Sequence, residues 1–146
     1  MQLFFDMDYT LIAADGSLRP GATELFQKLK TDGHTLYIWS GMGVRREEVR
    51  RQNLEVYVDG VYRKPISEYV KEVHKMLDRQ EIPTMPDLVV DDHQEIVAAL
   101  GGIVVHPFWT EDDTEMEEVY QIIRDYVANG YPGHKERRPR LERPQE

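Results

Sequence analysis

Leu3-Phe4-Phe5-Asp6-Met7-Asp8-Tyr9-Thr10-Leu11 is the stretch that decides the fold. The apolar run from Leu3 to Phe5 predicts a short buried strand, and it stops in two carboxylates one residue apart, followed at once by a hydroxyl. A strand that ends in acids puts its charges at the carboxyl edge of a parallel sheet, where such sheets bind ligands. Side chains alternate across an extended chain, so Asp6 and Asp8 lean toward one space while Met7 points away. Two acids sharing a space repel each other, and a divalent cation between them or a proton on one of them relieves the repulsion. The competing reading is a pair of surface aspartates at a turn, since Asp is common where strands end.

The rest of the chain alternates strands with helices. Asp15-Gly16 marks a tight turn, making the residues after Leu11 a short flap over the strand end. Pro20 opens a helix with Ala22, Leu25, Phe26 and Leu29 on its apolar face, and Gly33 closes it. Thr35 to Trp39 predicts a second strand, ending in Ser40-Gly41-Met42-Gly43. A helix over about 44–52 carries Arg45, Arg46, Arg50 and Arg51 beside Glu47 and Glu48. Glu55 to Val58 reads as a weaker strand before the Asp59-Gly60 turn and Arg63-Lys64-Pro65. Tyr69, Val70, Val73, Met76 and Leu77 predict an amphipathic helix from Ser67 to about Gln80. Leu88-Val89-Val90 is a third core strand, and it too ends in acids, Asp91-Asp92-His93. A helix over 94–100, Gly101-Gly102 and the strand Ile103-Val104-Val105 follow. Thr114-Glu115-Met116-Glu117 reads as a capping box for a last helix ending near Asn129-Gly130, with Met116, Val119, Tyr120, Ile123 and Val127 buried. Such alternation predicts a parallel sheet with right-handed crossovers.

Length and composition set the limits. A chain of 146 residues suits one domain, residues 1–130, without internal repeats. Residues 131–146 form a basic tail with Arg137, Arg138, Arg140 and Arg143 but one large aliphatic residue, Leu141, and are predicted to lack stable structure. With no cysteine, any metal must be held by oxygen or imidazole. No apolar run approaches bilayer length, and the first strand begins at residue 2 or 3 with no room for a leader peptide, so the default compartment is the cytoplasm. The net charge of −9 argues against general adhesion to nucleic acid while leaving room for a local basic patch.

Asp6-Met7-Asp8-Tyr9-Thr10-Leu11 after an apolar strand resembles the first signature of the haloacid-dehalogenase-like (HAD) phosphohydrolases. Ser40 after the second strand, Lys64 before a proline, and Asp91-Asp92 after a later core strand repeat the order of that family's remaining signatures, over roughly residues 2 to 107. A serine after a strand is ordinarily a turn former and Lys-Pro is ordinarily surface; jointly, in order, at strand ends, they are specific. The resemblance implies an α/β, Rossmann-like three-layer sandwich with a mainly parallel sheet. Residues 11–35 and 40–64 are too short to hold the inserted cap domains with which family members select small substrates. The mouth is therefore expected to be open to a phosphate on a small or large molecule, or closed by a second copy in a homo-oligomer.

The resemblance also implies roles. Asp6 would be the nucleophile, forming an aspartyl-phosphate, and Asp8 the acid that protonates the leaving oxygen and then activates water. The Ser40 hydroxyl and the Gly41 N–H would donate to the phosphoryl oxygens, and Lys64 would neutralise both the phosphoryl group and Asp6. Mg2+ would be bound by Asp6, by the Asp8 main-chain carbonyl and by Asp92, with Asp91 acting directly or through water and Glu95 supporting from behind. Thr10 would brace the flap and orient Asp8. An acid at Asp8 favours phosphomonoester hydrolysis over the dehalogenation or ATP-driven transport of relatives that lack it, and Tyr9 stands where glycine is more common.

Other features take plainer readings. The run from Arg45 to Arg51 is read first as a solvated helix face paired with Glu47 and Glu48, and second as a patch greeting an anionic leaving group. His93 beside the acids is a surface partner, while His34, His74 and His106 have no metal-ligand spacing. Trp39 and Trp109 are core or rim packing. Three rivals remain. A phosphoacceptor signalling domain would carry its paired acids on the first strand, whereas here Asp91-Asp92 comes last. A dinucleotide-binding module would need a third glycine beyond Gly41 and Gly43. A catalytically silent protein-binding member would have little need for intact acids and Lys64.

Overall fold

The computed structural model describes residues 1–129, so the basic tail lies outside the described residues. Five strands, β1 (Gln2–Asp6), β2 (Thr35–Ser40), β3 (Gly60–Arg63), β4 (Leu88–Asp91) and β5 (Gly102–Val104), form one sheet in the order β3-β2-β1-β4-β5. Every neighbouring pair is parallel. Helices α1 (Ala22–Thr31), α2 (Arg46–Arg51), α3 (Tyr69–Asp78), α4 (Gln94–Leu100) and α5 (Glu115–Ala128) fill the connections.

Strand alternation builds two cores. Leu3, Phe5, Leu36, Ile38 and Val90 face α1 and α5, where Phe26, Leu29, Met116 and Ile123 cover them. Phe4, Tyr37, Trp39 and Val89 face the other way, onto Val73 and Met76 of α3 and Ile96 and Val97 of α4. Each fully buried aliphatic or aromatic side chain contributes roughly 2 kcal/mol by leaving water. The result is a three-layer α/β/α sandwich whose strands are hydrophobic on both faces, as expected where both faces are covered. Because the chain moves outward on one side of β1 through β2 and β3 and on the other through β4 and β5, the order reverses between β1 and β4. A crevice opens there, at the carboxyl edge.

Several local expectations are corrected. Residues 55–57 form turns, and the edge strand is β3, five residues later than read. Asp59 decides this: its N–H donates to the Leu36 carbonyl at 2.7 Å and its carboxylate accepts the Leu36 N–H at 2.9 Å, so pairing with β2 starts there. The Thr114 side chain makes no capping hydrogen bond; Asp113 Oδ1 instead accepts the Glu115 N–H at 3.1 Å. Tyr126 rather than Val127 faces the core on α5, and Val70 of α3 is exposed. Gly101-Gly102 has a steric cause: a Cβ on Gly102 would lie 1.9 Å from the Val89 carbonyl oxygen across the β4–β5 pair. Among the described residues no helix is long and apolar enough to cross a membrane.

Candidate functional site

Four strand ends meet at the crevice. Asp6 is the last residue of β1, Ser40 of β2 and Asp91 of β4, while Lys64 follows β3. The Lys64 ammonium lies 2.9 Å from Asp6 Oδ1 and 2.9 Å from Asp91 Oδ2, joining three buried side chains. The second oxygen of Asp6 accepts the Thr10 hydroxyl at 3.0 Å, and Asp91 Oδ1 accepts the His93 N–H at 2.9 Å. Asp92 is less engaged, with the Thr10 hydroxyl at 3.4 Å and the His93 ring at 3.3 Å. One ligand atom each from Asp6, Asp91, Asp92 and His93 can be chosen within 4.8 Å of one another, a grouping that could hold a metal ion.

Burial sets the electrostatics. It raises Asp6 above its ordinary value, helped by the charge of Asp91 and opposed by Lys64. Asp91 is raised by burial and opposed by Lys64. Asp92 is raised by burial and then by its contact with Asp6. Burial would lower Lys64, but the charges of Asp6 and Asp91 outweigh it and hold the ammonium above its usual range. Three acids around one lysine leave negative charge in excess, the environment that attracts a cation.

The turn after β1 places the remaining groups. Met7 is fully buried, as alternation requires, and Asp8 is half-buried facing the cleft. Tyr9 takes a left-handed φ of 63°, and the N–H groups of Leu11 and Ile12 both reach back to the Met7 carbonyl. Bridges from Asp8 to Ile12 and from Ile12 to Leu18 make the flap a small folded unit closed by the turn at Asp15-Gly16. Arg19 anchors it from behind. Its fully buried guanidinium donates to the carbonyls of Thr10 at 3.1 Å and His106 at 2.7 Å, and forks onto Asp113.

Sequence reasoning missed Arg19, read Arg45 first as solvated surface, and misplaced two contacts. The Thr10 hydroxyl touches Asp6 and Asp92 rather than Asp8. What meets Asp8 is Arg45, whose Nη1 lies 2.6 Å from Asp8 Oδ2 while its Nε lies 3.3 Å from Glu48. The reading of a solvated face paired with Glu47 and Glu48 holds for Arg50 and Glu47, an exposed pair; Arg45 does pair with Glu48 but is largely buried. Arg45 precedes the first residue of α2, so it sits on the loop that leaves Ser40, and that position was the available signal. Arg19 carried none beyond its place before a proline. Glu95 is exposed and outside the acidic group. Trp39 is core, whereas Trp109 is exposed and packs at a tilt against Tyr9, with ring centroids 4.8 Å apart.

Asp6, Asp8, Ser40, Arg45, Lys64 and His93 line an open cleft of about 860 Å³. Ser40 Oγ accepts the Met42 N–H at 3.1 Å, which leaves its own proton to donate. Gly41 lies beneath Ile66, whose Cγ2 would be 3.1 Å from an added Cβ, and the exposed side chains of Met42 and Ile66 form an apolar rim.

No family model matches the chain, and no curated protein matches it. Solved structures do. An uncharacterized protein from Listeria monocytogenes serotype 4b aligns at 14% identity and a TM-score of 0.54, over 87% of this chain and 98% of that one. The core domain of a candidate phosphoglycolate phosphatase from Streptococcus pneumoniae TIGR4 aligns at 13% identity and a TM-score of 0.54, over 84% of this chain and 94% of that one. At these identities the likeness is one of fold: a Rossmann-like parallel sheet with helices on both faces.

Proposed function

We propose that the protein is a Mg2+-dependent phosphomonoester hydrolase working through an aspartyl-phosphate on Asp6. The observation that carries this reading is the Lys64 ammonium held between the buried carboxylates of Asp6 and Asp91, at strand ends that open into a cleft with the Ser40 hydroxyl. A buried lysine between two acids fixes the carboxylate that must attack and supplies positive charge where the phosphoryl oxygens gather it.

In the first step an Asp6 oxygen attacks phosphorus, the bond from phosphorus to the alcohol oxygen breaks, and its electron pair leaves on that oxygen, which takes a proton from Asp8. In the second, Asp8 takes a proton from water as the water oxygen attacks the phosphorus, freeing Asp6 and inorganic phosphate. Ser40 and the Gly41 N–H orient the phosphoryl group, and Lys64 offsets its charge. General acid and base help of this kind contributes on the order of a hundredfold to ten-thousandfold.

The donors fit a hard cation: carboxylates dominate and cysteine is absent. Asp6 and Asp92 would hold it, with Asp91 behind them and the Asp8 carbonyl as the family resemblance implies. Asp92 has the most unspent acceptor capacity, since both oxygens of Asp91 are already engaged. When bound, Mg2+ neutralises charge developing on the transferring group.

The fold shared with a candidate phosphatase core supports the reading. The sheet order β3-β2-β1-β4-β5 counts against the phosphoacceptor rival, whose doubly wound sheets run 2-1-3-4-5. Two acids at the end of β1 count against a dinucleotide site, where a pyrophosphate would meet them. The test is hydrolysis of a generic aryl phosphate with and without Mg2+ by the parent protein and Asp6→Asn, followed by a panel of phosphometabolites. Metal-dependent turnover that Asp6→Asn abolishes is expected; metal-independent turnover, or full activity in Asp6→Asn, would exclude the mechanism. A parent protein inactive across the whole panel would return the molecule to a binding role.

A further inference from the structure

We infer that Arg45 selects phosphomonoesters whose leaving group carries a second anion, a carboxylate or another phosphate. The inference rests on the hydrolase reading and adds to it the class of substrate.

Position carries the inference. Arg45 Nη1 lies 2.6 Å from Asp8 Oδ2 and 3.5 Å from Ser40 Oγ. It stands between the hydroxyl that would orient the phosphoryl group and the carboxylate that would serve the alcohol oxygen, and the leaving group must pass through that space. Its side chain is only 19% exposed, so it is held there rather than sampling solvent. Glu48, bonded to Nε at 3.3 Å, secures the stem of the fork and leaves the Nη groups to exchange partners.

The charge balance supplies the selection. A neutral alcohol arriving at Asp8 finds one carboxylate oxygen taken by the guanidinium and offers nothing to draw it away. An anion on the leaving group would, without Arg45, face the carboxylate of Glu48 with no cation bonded to it. With Arg45 present, the anion takes the planar donors in charge-assisted bonds and frees Asp8 for the ester oxygen. Lys64 cannot take this part, because it is committed to Asp6 and Asp91. The rest of the lining includes the apolar side chains of Met42, Pro65 and Ile66.

The experiment compares kcat/KM, with Mg2+, for three phosphate esters of similar length: one of a neutral alcohol, one of a hydroxy acid, and one bearing a second phosphate. They are run on the parent, Arg45→Met, Arg45→Lys and Arg46→Met, Arg46 being the adjacent exposed arginine. The parent is expected to favour at least one charged leaving group over the neutral one by about tenfold or more, and the two charged esters show which anion is preferred. The ratio should fall close to one in Arg45→Met, recover in part in Arg45→Lys, and stay at the parental value in Arg46→Met. Calorimetric titration of the same esters into Asp6→Asn and Asp6→Asn/Arg45→Met should show the same difference in binding without turnover. A parent with no preference, a preference that survives Arg45→Met, or an equal loss in Arg46→Met would overturn the inference and leave the hydrolase reading standing. Absence of turnover for every ester would overturn both.

Discussion

The Lys64 ammonium stands 2.9 Å from a carboxylate oxygen of Asp6, a residue 58 positions earlier in the chain, and equally close to Asp91, 27 positions later. One cation thus holds β1, β4 and the segment after β3 together at the site. Removing it leaves two buried acids without their ammonium. Lys64→Met is expected to cost roughly 3 kcal/mol near neutral pH, the scale for breaking a buried ion pair from one side. Urea denaturation in the presence of a chelator measures it. The loss should shrink toward about pH 5 as the acids take up protons; a loss independent of pH would assign the effect to packing instead.

Burial holds Asp6, Asp91 and Asp92 above the ordinary carboxylate value of 3.8. The native state therefore binds protons more readily than the unfolded chain, and this contribution to stability is complete below the unfolded value and is lost as pH rises through the raised ones. In chelator, the melting temperature of the parent relative to Asp92→Asn should fall from about pH 4 toward neutrality. Mg2+ at about 10 mM binds the ionised acids of the native state and should raise the parent's melting temperature most at the neutral end. An equal Mg2+ effect at about pH 5 and pH 7, or the same effect in Asp92→Asn, would place the cation elsewhere.

Gly102 and Gly16 separate two costs of replacing glycine. Both have positive φ, 157° and 86°, but an added Cβ would collide with the Val89 backbone at Gly102 and meet nothing within 4 Å at Gly16. Gly102→Ala is expected to lose at least about 2 kcal/mol, since backbone in a paired strand cannot retreat. Gly16→Ala should lose about 1 kcal/mol from the left-handed backbone alone. Comparing their denaturation midpoints checks this, and equal losses would remove the steric account of β4–β5.

What could be read from the chain followed a physical rule. Asp6, Ser40 and Asp91 were legible because each sits where a strand pattern stops, and parallel strands bring such points together wherever they fall in the sequence; Lys64 was legible only from its place before Pro65, in the order of the resemblance. The sheet was legible because its strands are buried on both faces and read as unbroken apolar runs. β3 was not, because an edge strand that is only partly buried has no such run, while Glu55 to Val58 imitated one by alternation. Arg45 was hidden among four arginines whose helical spacing says nothing about which one turns inward. The Thr114 box satisfied the pattern for a cap, but Asp113, one residue earlier, reached the Glu115 N–H.

Arg19 adds a matter of timing. Its fork onto Asp113 spans 94 positions, and its bonds to the Thr10 and His106 carbonyls close the same gap from either end. During synthesis, a ribosome that has just delivered Asp92 has supplied every acid of the cluster while the clasp behind the amino-terminal turn still has no Asp113. Of the motifs that build the site, the earliest to be translated is among the last to be finished, so a nascent or prematurely terminated chain would carry the acids without the rigid turn that presents them.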